Sequence, residues 1–290
     1  MCLKFGIFVH PKRPRIAQNK ILKVIQSTGV SYSTRDPDIA IVVGGDGTFS
    51  YYGRTLSIPM LFVGVNDPDM LGSKAKLAQI LFHDLSKALN HINTGKYLID
   101  EKRMFSVTYN RCKYADILTD IYLERSIFSG CMRYTVSVDK GKTFVNNRHH
   151  DYASGNYFTE YAIGNGVIIS TAFGSGGYYS YPDRLKLIGQ NNRKIKPFED
   201  NKMGVCHILP MYLVRQTNKK KKGNLSKCIN YTIPWNSNIK IILARQANAR
   251  LYGTTKNSKG IAVTVDNEIN VGPSNRTAKI IKLLEPTRLN

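Results

Sequence analysis

The segment Gly44-Gly45-Asp46-Gly47-Thr48 constrains the fold of this 290-residue chain more than any other part of the sequence. It directly follows a short apolar run, Asp38 to Val43, which reads as a buried strand. Glycines let backbone N–H groups come close to a phosphate, and Thr48 can open a helix whose N-terminus favours anions. Open α/β sheets bind ligands at the carboxyl ends of their strands. We therefore expect a phosphate-facing turn here.

The carboxylate of Asp46 narrows the chemistry of that turn. A carboxylate beside bound phosphates is repelled unless it accepts a proton from a nucleophilic hydroxyl or holds a divalent cation. Both are roles that phosphoryl transfer requires. The alternative is a tight turn in which Asp46 makes an Asx-type hydrogen bond and has no chemical role.

Short apolar runs alternate with amphipathic helix patterns through the first hundred residues. Leu3 to Val9 and Met60 to Val65 read as further strands, and Ile16 to Thr28 reads as a helix. A second helix is predicted from a cap at Ser73, with apolar residues about every four positions: Leu77, Leu81, Leu85, Leu89 and Ile92. This pattern indicates a parallel sheet covered on both faces.

After Gly95 the apolar period changes to two, as in Phe105, Val107 and Tyr109, which indicates β structure. The predicted fold class is an α/β N-terminal domain with a parallel sheet plus a β-rich C-terminal domain. We place the first domain at residues 1–98, rejoined by 271–290, and the second at 99–270.

The chain carries 42 Lys and Arg against 20 Asp and Glu, a formal net charge of +22, and 42% of its residues are hydrophobic. That apolar content can bury a core and excludes a disordered tail. The charge attracts polyanions, which could be nucleic acid, anionic lipid or phosphorylated small molecules. The run Lys219 to Lys222 is expected to be a solvated loop, with a nucleic-acid contact as the alternative.

The cysteines and the apolar runs bear on the compartment. Five scattered cysteines without a Cys-x-x-Cys pair indicate neither a disulfide framework nor a zinc ribbon. No apolar run approaches the roughly 20 residues that cross a bilayer, and we expect no signal peptide. A cytoplasmic protein without a membrane segment is the resulting expectation.

Two more glycine-containing segments add ligand candidates. Gly64 to Gly72 follows the strand Met60 to Val65, so Asn66 could reach a nucleotide beside the first turn. Gly164 to Tyr178 couples a strand to a loop rich in Gly, Ser and Thr that ends in an aromatic ring.

These three motifs, in this order and spacing, resemble the NAD kinase family over roughly residues 3 to 285. The third motif, Gly164 to Tyr178, is the most specific, with the pattern Gly-x-Gly, three apolar residues and Ser-Thr-x-x-Gly-Ser-x-x-Tyr. Lipid kinases with a similar first turn usually carry Pro-x-Gly-Thr-x-Asn after the next strand. Here Val63-Gly64-Val65-Asn66 stands there, which favours NAD kinase.

The resemblance implies an enzyme that transfers the γ-phosphate of ATP to the 2′-hydroxyl of the adenosine ribose of NAD, giving NADP. Asp46 matches the general base and a contact to Mg²⁺ bound with ATP. The residues matching the ATP and phosphate site are Gly44, Gly45, Gly47, Thr48 and Asn66. Those matching the NAD site are Asp46, Gly47, Thr119, Asp120, Asn165, Thr171, Gly174, Ser175, Gly176, Gly177 and Tyr178. The family also implies a homodimer or homotetramer.

The chain departs from the family pattern mainly on the dinucleotide side. Thr119-Asp120 stands where the family has Asn-Glu, and Asn165-Gly166 stands where it has Asp-Gly. A relative that phosphorylates another nucleotide-like acceptor therefore stays open, as does a basic nucleic-acid-binding protein on the same scaffold. The residues do not distinguish ATP from polyphosphate as donor, or NAD from NADH as acceptor.

Overall fold

A computed structural model describes residues 3–12, 14–65, 75–127, 129–140, 157–186, 196–217, 220–225, 228–253 and 259–284. The chain divides into two compact units. Unit 1 comprises Met1–Lys102 and Thr277–Asn290, and unit 2 comprises Arg103–Arg276. The predicted fold class is confirmed, with parallel strands in unit 1 and a β-rich unit 2. The assignment of ATP to one domain and of NAD to the other stays a prediction.

Unit 1 alternates short strands with helices. Its elements, in chain order, are β1 Lys4–Val9, α1 Gln18–Ser27, β2 Ser31–Tyr32, β3 Ile39–Gly44, α2 Asp46–Thr55, β4 Met60–Gly64, β5 Ile80–Leu81, a 3₁₀ turn Phe82–Asp84, and α3 Leu85–Asn93. All residues of β3 and β4 are buried, as expected for central strands of a sheet covered on both faces. The predicted helix over Ile16 to Thr28 is confirmed as α1.

The strands of unit 1 pair in parallel in the order β2, β1, β3, β4, and β5 pairs with β4 beyond them. Met60 of β4 also pairs in parallel with Ile280, which comes from the segment that returns to this unit. The core of the unit packs α1 and α3 on the sheet through residues such as Ile21, Ile25 and Leu89. In the register, Val9 stands opposite Val43 and Gly44 stands opposite Gly64. The strands β1, β3 and β4 therefore end side by side.

The helix predicted from Ser73 is wrong over its first half. Ser73 itself lies outside the described residues, and α3 begins only at Leu85. Non-local bonds hold the preceding segment: Gln79 bonds to the backbone of Phe62, and Ile80 pairs with Val63 in the sheet. Leucines at helical spacing thus serve two different elements, because strand pairing outweighs a local helical pattern.

Unit 2 is built almost entirely from strands. Its elements, in chain order, are β6 Tyr97–Tyr109 (which starts in unit 1), β7 Cys112–Ile117, β8 Asp120–Arg125, β9 Met132–Lys140, β10 Tyr157–Gly164, β11 Gly166–Thr171, a 3₁₀ turn Tyr178–Ser180, α4 Tyr181–Lys186, β12 Lys202–Ile208, β13 Tyr212–Thr217, β14 Lys220–Leu225, β15 Asn230–Pro234, β16 Ser237–Leu243, β17 Ala249–Tyr252, β18 Ile261–Val263 and β19 Glu268–Leu283 (which ends in unit 1).

Two antiparallel sheets form a sandwich in unit 2. One has the strand order β14, β13, β10, β9, β16, followed by the first residues of β19, and the other has the order β15, β12, β11, β8, β17, β18. Apolar side chains from both sheets, such as Val136, Ile169 and Ile241, form one core between them. A smaller apolar cluster lies on the outer face of the second sheet, where Ile168, Cys206 and Ile208 pack against Tyr179.

The lysine run was expected to be a loop, and that prediction is wrong for its described part. Lys220–Leu225 form β14, which pairs with β13 at one end of its sheet, while Lys219 lies outside the described residues. None of the helices in the described part of the chain has the length and apolar character needed to cross a bilayer.

Candidate active site

The turn after β3 places Asp46 at the first position of α2. Gly45 is the N-cap and has no side chain to occupy the first turn, while Thr48 and Phe49 both donate their N–H groups to the Gly45 carbonyl. The half-buried carboxylate of Asp46 accepts the backbone N–H of Leu77 through Oδ1 at 2.9 Å. That bond orients the carboxylate at a helix N-terminus, where the helix dipole favours negative charge. Asp46 is thus held by the fold at the expected edge of the sheet.

The glycines of this turn differ in what the fold demands of them. A Cβ at Gly44 would lie 2.7 Å from Thr48 Oγ1, so packing excludes a side chain there. Gly47 is exposed, and a Cβ on it would meet no heavy atom within 4 Å among the described residues. Packing within the described part of the chain therefore does not require glycine at position 47.

The predicted partner turn after β4 is described only in part. Gly64 pairs with Gly44, so β4 ends beside the Asp46 turn. Asn66 lies outside the described residues, and its role in nucleotide binding stays a prediction.

The loop Thr171 to Tyr178 in unit 2 is held by its own hydroxyls. Thr171 donates to the Leu118 carbonyl at 2.6 Å and accepts the Gly174 N–H at 3.1 Å. Ser175 donates to the Ala172 carbonyl at 2.7 Å, and both hydroxyl-bearing residues are buried. These hydroxyls therefore shape the loop from within, which the sequence motif alone does not reveal.

Two glycines of this loop again contrast. A Cβ on Gly174 would overlap the backbone of Thr119, so this glycine lets the loop pack on the start of β8. A Cβ on Gly176 would meet no heavy atom within 4 Å in the described part of the chain. The loop and Thr119 are joined further by the Thr171 N–H, which donates to the Thr119 carbonyl at 2.8 Å.

Asp120 is the charged group of this second region. Burial raises the pKa of its carboxyl from an ordinary 3.8 to about 6, although hydrogen bonds from the Thr119 side chain and the Tyr178 backbone favour the charged form. A carboxylate retained where burial opposes its charge is typical of binding and catalytic sites. The structure therefore brings Thr119, Asp120 and the loop through Tyr178 together.

Aromatic rings extend this region along the outer face of the second sheet. Tyr122 stacks on Tyr252 with ring centroids 5.2 Å apart and meets the edge of Tyr178 at 5.3 Å. The Tyr178 hydroxyl donates to Glu124 Oε1 at 3.3 Å, and burial raises the pKa of that phenol, with the charge of Glu124 adding to the shift. Sequence reasoning missed Tyr122 and Glu124. Their spacing of two from Asp120 on one strand is the signal that could have found them.

Asn165 is separated from the rest of the predicted NAD site in unit 2. It precedes β11, whereas Thr171 ends that strand, and six residues at about 3.3 Å each put roughly 20 Å between them. Its backbone pairs instead with Arg125 and Ile208. Within one chain, Asn165 and the loop Thr171 to Tyr178 cannot bind the same small group.

A buried polar cluster inside the sandwich was not predicted. Glu160 has no exposed surface, and Arg215 donates two hydrogen bonds to its Oε1, at 3.0 and 2.7 Å. Its Oε2 accepts the Tyr231 hydroxyl and lies 2.8 Å from His207 Nε2, while His207 Nδ1 lies 2.9 Å from the Tyr134 hydroxyl. We call these five residues the Glu160 cluster. They come from five strands, so no local sequence pattern predicts that they meet.

The partners of Glu160 govern the electrostatics of this cluster. Burial alone would raise the pKa of the Glu160 carboxyl, but the hydrogen bond and charge of His207 and the charge of Arg215 bring that pKa below its ordinary value. The Arg215 guanidinium also lies between two rings, 4.2 Å from the Phe158 centroid and 4.4 Å from that of Tyr231. Glu160 is therefore held as a carboxylate in the core.

Comparisons with known proteins find NAD kinases among the relatives of this chain. No protein-family model matches the chain. The NAD kinase of Clostridium kluyveri is 32% identical over 147 residues, which cover 49% of this chain and 44% of that protein. The chain thus matches less than half of the length of this curated relative.

Two solved structures share the fold over nearly the whole chain. Yeast NADH kinase complexed with NADH aligns with a TM-score of 0.66 at 14% identity and covers 99% of this chain and 84% of that one. An NAD kinase from Archaeoglobus fulgidus in complex with ATP aligns with a TM-score of 0.59 at 12% identity, covering 98% and 94%. The curated relatives that resemble about half of this chain are thus NAD kinases, and the two solved structures show that the chain shares their fold.

Proposed function

We propose that this protein is an NAD kinase that transfers the γ-phosphate of ATP to the 2′-hydroxyl of the adenosine ribose of NAD. The observation that carries the proposal is the position of Asp46, oriented by the Leu77 N–H at the first residue of a helix, between two glycines and at the end of a buried parallel strand. Its relatives by sequence are NAD kinases, which supports the same reaction.

Asp46 acts in this proposal as the general base. The carboxylate accepts the proton of the ribose 2′-hydroxyl as the oxygen attacks the γ-phosphorus, the bond from that phosphorus to the β,γ-bridging oxygen breaks, and ADP leaves. The exposed Gly47 allows the phosphate chain to approach the start of α2, where the helix dipole favours anions.

Magnesium is the expected companion of ATP. Among the described residues no group of three or more His, Cys, Asp and Glu side chains could hold a metal ion. Mg²⁺ is usually held by one or two carboxylates together with substrate phosphates, so a single aspartate suits it. Asp46 would hold the ion, which would neutralise charge that develops on the transferred phosphoryl group.

The dinucleotide is assigned to unit 2 in this proposal. Asp120 offers a carboxylate that can accept hydrogen bonds from ribose hydroxyls, and the rings of Tyr178 and Tyr122 offer faces for stacking. The family's Asn-Glu pair is Thr119-Asp120 here, so the acceptor is the less strongly supported part. A related nucleotide acceptor such as NADH is the alternative.

The test is ATP-dependent formation of NADP by the purified chain and by Asp46→Asn. The asparagine keeps an oxygen for the Leu77 N–H but cannot take a proton at neutral pH, so the rate should fall by about 10²- to 10⁴-fold. Asp84→Asn is the matched control, because Asp84 is also an aspartate at the start of a helix. Its rate should stay within twofold of the wild type.

Donor and acceptor are varied in the same assay. ATP is compared with polyphosphate, and NAD with NADH, and the proposal expects the highest kcat/KM for ATP with NAD. Equal rates for the wild type and Asp46→Asn would refute the role of Asp46 as the general base. Absence of phosphorylated dinucleotide with every donor and acceptor pair would overturn the function itself.

A further inference from the structure

The Glu160 cluster touches the same strands that carry the loop Thr171 to Tyr178. Inside the sandwich, the side chains of His207 on β12 and Tyr231 on β15 bind the Glu160 carboxylate. On the outer face, the backbone carbonyls of these two residues accept hydrogen bonds from two tyrosines that follow the glycine loop. Tyr181 donates to the His207 carbonyl at 2.7 Å, and Tyr179 donates to the Tyr231 carbonyl at 3.1 Å.

A third strand is tied to the same carboxylate. The Tyr134 hydroxyl, which contacts His207, donates to the carbonyl of Gly166 at the start of β11. That strand ends at Thr171, where the loop begins. The strands β11, β12 and β15 are neighbours in the second sheet, in the order β15, β12, β11. One buried carboxylate therefore connects the three strands that support the loop.

The loop depends on these strands for its geometry. Besides the Tyr181 bond to His207, the Tyr181 oxygen accepts the Leu209 N–H at 3.0 Å, so its hydroxyl is held from two sides. A Cβ on Gly204 of β12 would lie 2.5 Å from a ring carbon of Tyr179, which means that this ring packs directly against the strand. A shift of β12 would therefore disturb contacts of both tyrosines, and a shift of β15 would disturb the Tyr179 hydrogen bond, so either would act on the glycine turn before them.

We propose that the Glu160 cluster is a positioning network for the loop Thr171 to Tyr181. The cluster fixes the positions of β11, β12 and β15 relative to one another. The hydroxyls of Tyr179 and Tyr181, which bond to β15 and β12, fix the position of the loop relative to these strands. Its members touch no substrate. The value of this positioning for dinucleotide binding rests on the proposed function, but the mechanical link does not.

Hydrogen exchange of the loop amides tests the link without any activity. The N–H groups of Gly174, Ser175, Gly177 and Ser180 donate within the loop, so their exchange reports its order. Tyr231→Phe removes one hydroxyl from Glu160, and His207→Gln removes the imidazole. Each should accelerate exchange at these amides by about tenfold or more, while β3 in unit 1 keeps its exchange rates.

Tyr109→Phe is the matched control in unit 2. Tyr109 also donates its hydroxyl, to Asn267 Oδ1 at 2.6 Å, and the hydroxyl partners that the structure describes for it, Asn267 and Ala262, are not members of the Glu160 cluster. This variant should leave the loop amides within twofold of the wild type. If Tyr109→Phe loosens the loop as much as Tyr231→Phe does, or if exchange rises uniformly through unit 2, the cluster is only a stabilising element and the proposal fails.

A double variant tests whether the two tyrosines carry the effect. Tyr179→Phe with Tyr181→Phe should loosen the loop by itself, and adding Tyr231→Phe should then change loop exchange by less than twofold. Fully additive effects would overturn the proposed route. In an active enzyme, Tyr231→Phe should raise KM for NAD more than it lowers kcat. A chain without kinase activity would refute the proposed function and leave the exchange result to decide the network.

Discussion

The turn Gly44 to Thr48 and the loop Thr171 to Tyr178 use similar residues in opposite ways. In the first, the carboxylate of Asp46 is half-buried and Gly47 is exposed at the start of a helix. In the second, the hydroxyls of Thr171 and Ser175 are buried and bond to the loop's own backbone. The comparison teaches that Gly, Ser and Thr in a motif do not by themselves mark ligand contacts, since some of them build the loop that presents other groups.

Each region also contains one glycine that packing requires and one with open space around it. Gly44 and Gly174 face protein atoms that exclude a side chain. Gly47 and Gly176 face no heavy atom of the described residues within 4 Å of a Cβ. If bound ligands require the glycines with open space, substitution of Gly47 or Gly176 should weaken binding without loss of stability. Substitution of Gly44 or Gly174 should instead lower the stability of the fold.

The largest effect is expected for Gly174→Ala. The added methyl group overlaps the Thr119 backbone, which cannot move without disturbing β8, so the free energy of unfolding should fall by about 2 to 4 kcal/mol. Urea unfolding of unit 2 measures it. Gly176→Ala, two residues along the same loop, is the control and should change stability by no more than about 0.5 kcal/mol. Equal losses in the two variants would contradict the distinction.

Gly47→Ala should separate binding from stability. Alanine favours helix over glycine by about 0.5 to 1 kcal/mol, so the variant should be as stable as the wild type or more stable. Affinity for ATP, measured by calorimetry, should nevertheless drop by about tenfold if the phosphates approach the backbone there. Thr55→Ala at the other end of the same helix is the control, and it should bind ATP as the wild type does. Unchanged affinity in Gly47→Ala would show that no ligand needs this glycine.

Asp120→Asn should produce the smallest effect of the three substitutions, and it should increase the stability of the fold rather than decrease it. The raised pKa means that the folded state holds the carboxyl proton of Asp120 more tightly than the unfolded state does. The stability that this proton contributes to the fold is therefore complete below pH 3.8 and is lost as the pH rises through about 6. Asparagine removes the buried charge and keeps an acceptor for the Tyr178 N–H. At pH 7 the variant should therefore be more stable, by an amount on the order of 1 kcal/mol for a half-buried group.

The advantage of Asp120→Asn should shrink toward pH 4, where the wild-type carboxyl is also neutral. Asp116→Asn is the control of opposite sign, because Asp116 is paired with Lys113 at 3.0 Å and accepts the Ser274 hydroxyl at 2.8 Å. That variant should lose stability at pH 7. A loss in both variants would mean that the charge of Asp120 stabilises the fold rather than opposing it.

Local signals predicted the first region well. The strand β3, the turn at Asp46 and the helix α1 follow from apolar spacing and glycines within about a dozen residues. The helix predicted from Ser73 failed because the segment before Leu85 is held by residues distant in sequence, such as Phe62. Strand pairing of this kind leaves no mark in the spacing of leucines.

The second region was harder to predict because its chemistry is tertiary. Asp120 was found through the family resemblance, but its raised pKa depends on burial that no sequence pattern displays. The partners of Glu160 lie 47, 55 and 71 residues away along the chain, on strands that meet only in the sandwich. The distinction between Gly174 and Gly176 likewise depends on tertiary packing, since both occur in the same short motif.

The pairing of Met60 with Ile280 has a consequence for biosynthesis. While a ribosome is still translating the strands of the sandwich, the sheet that carries Asp46 lacks the segment that pairs with β4 at Met60. The inserted unit, which is continuous in sequence, can complete its own fold first. Until residues 277–284 emerge from the exit tunnel, one edge of the sheet of unit 1 is therefore only partly paired, and unpaired strand edges of this kind favour aggregation and chaperone binding.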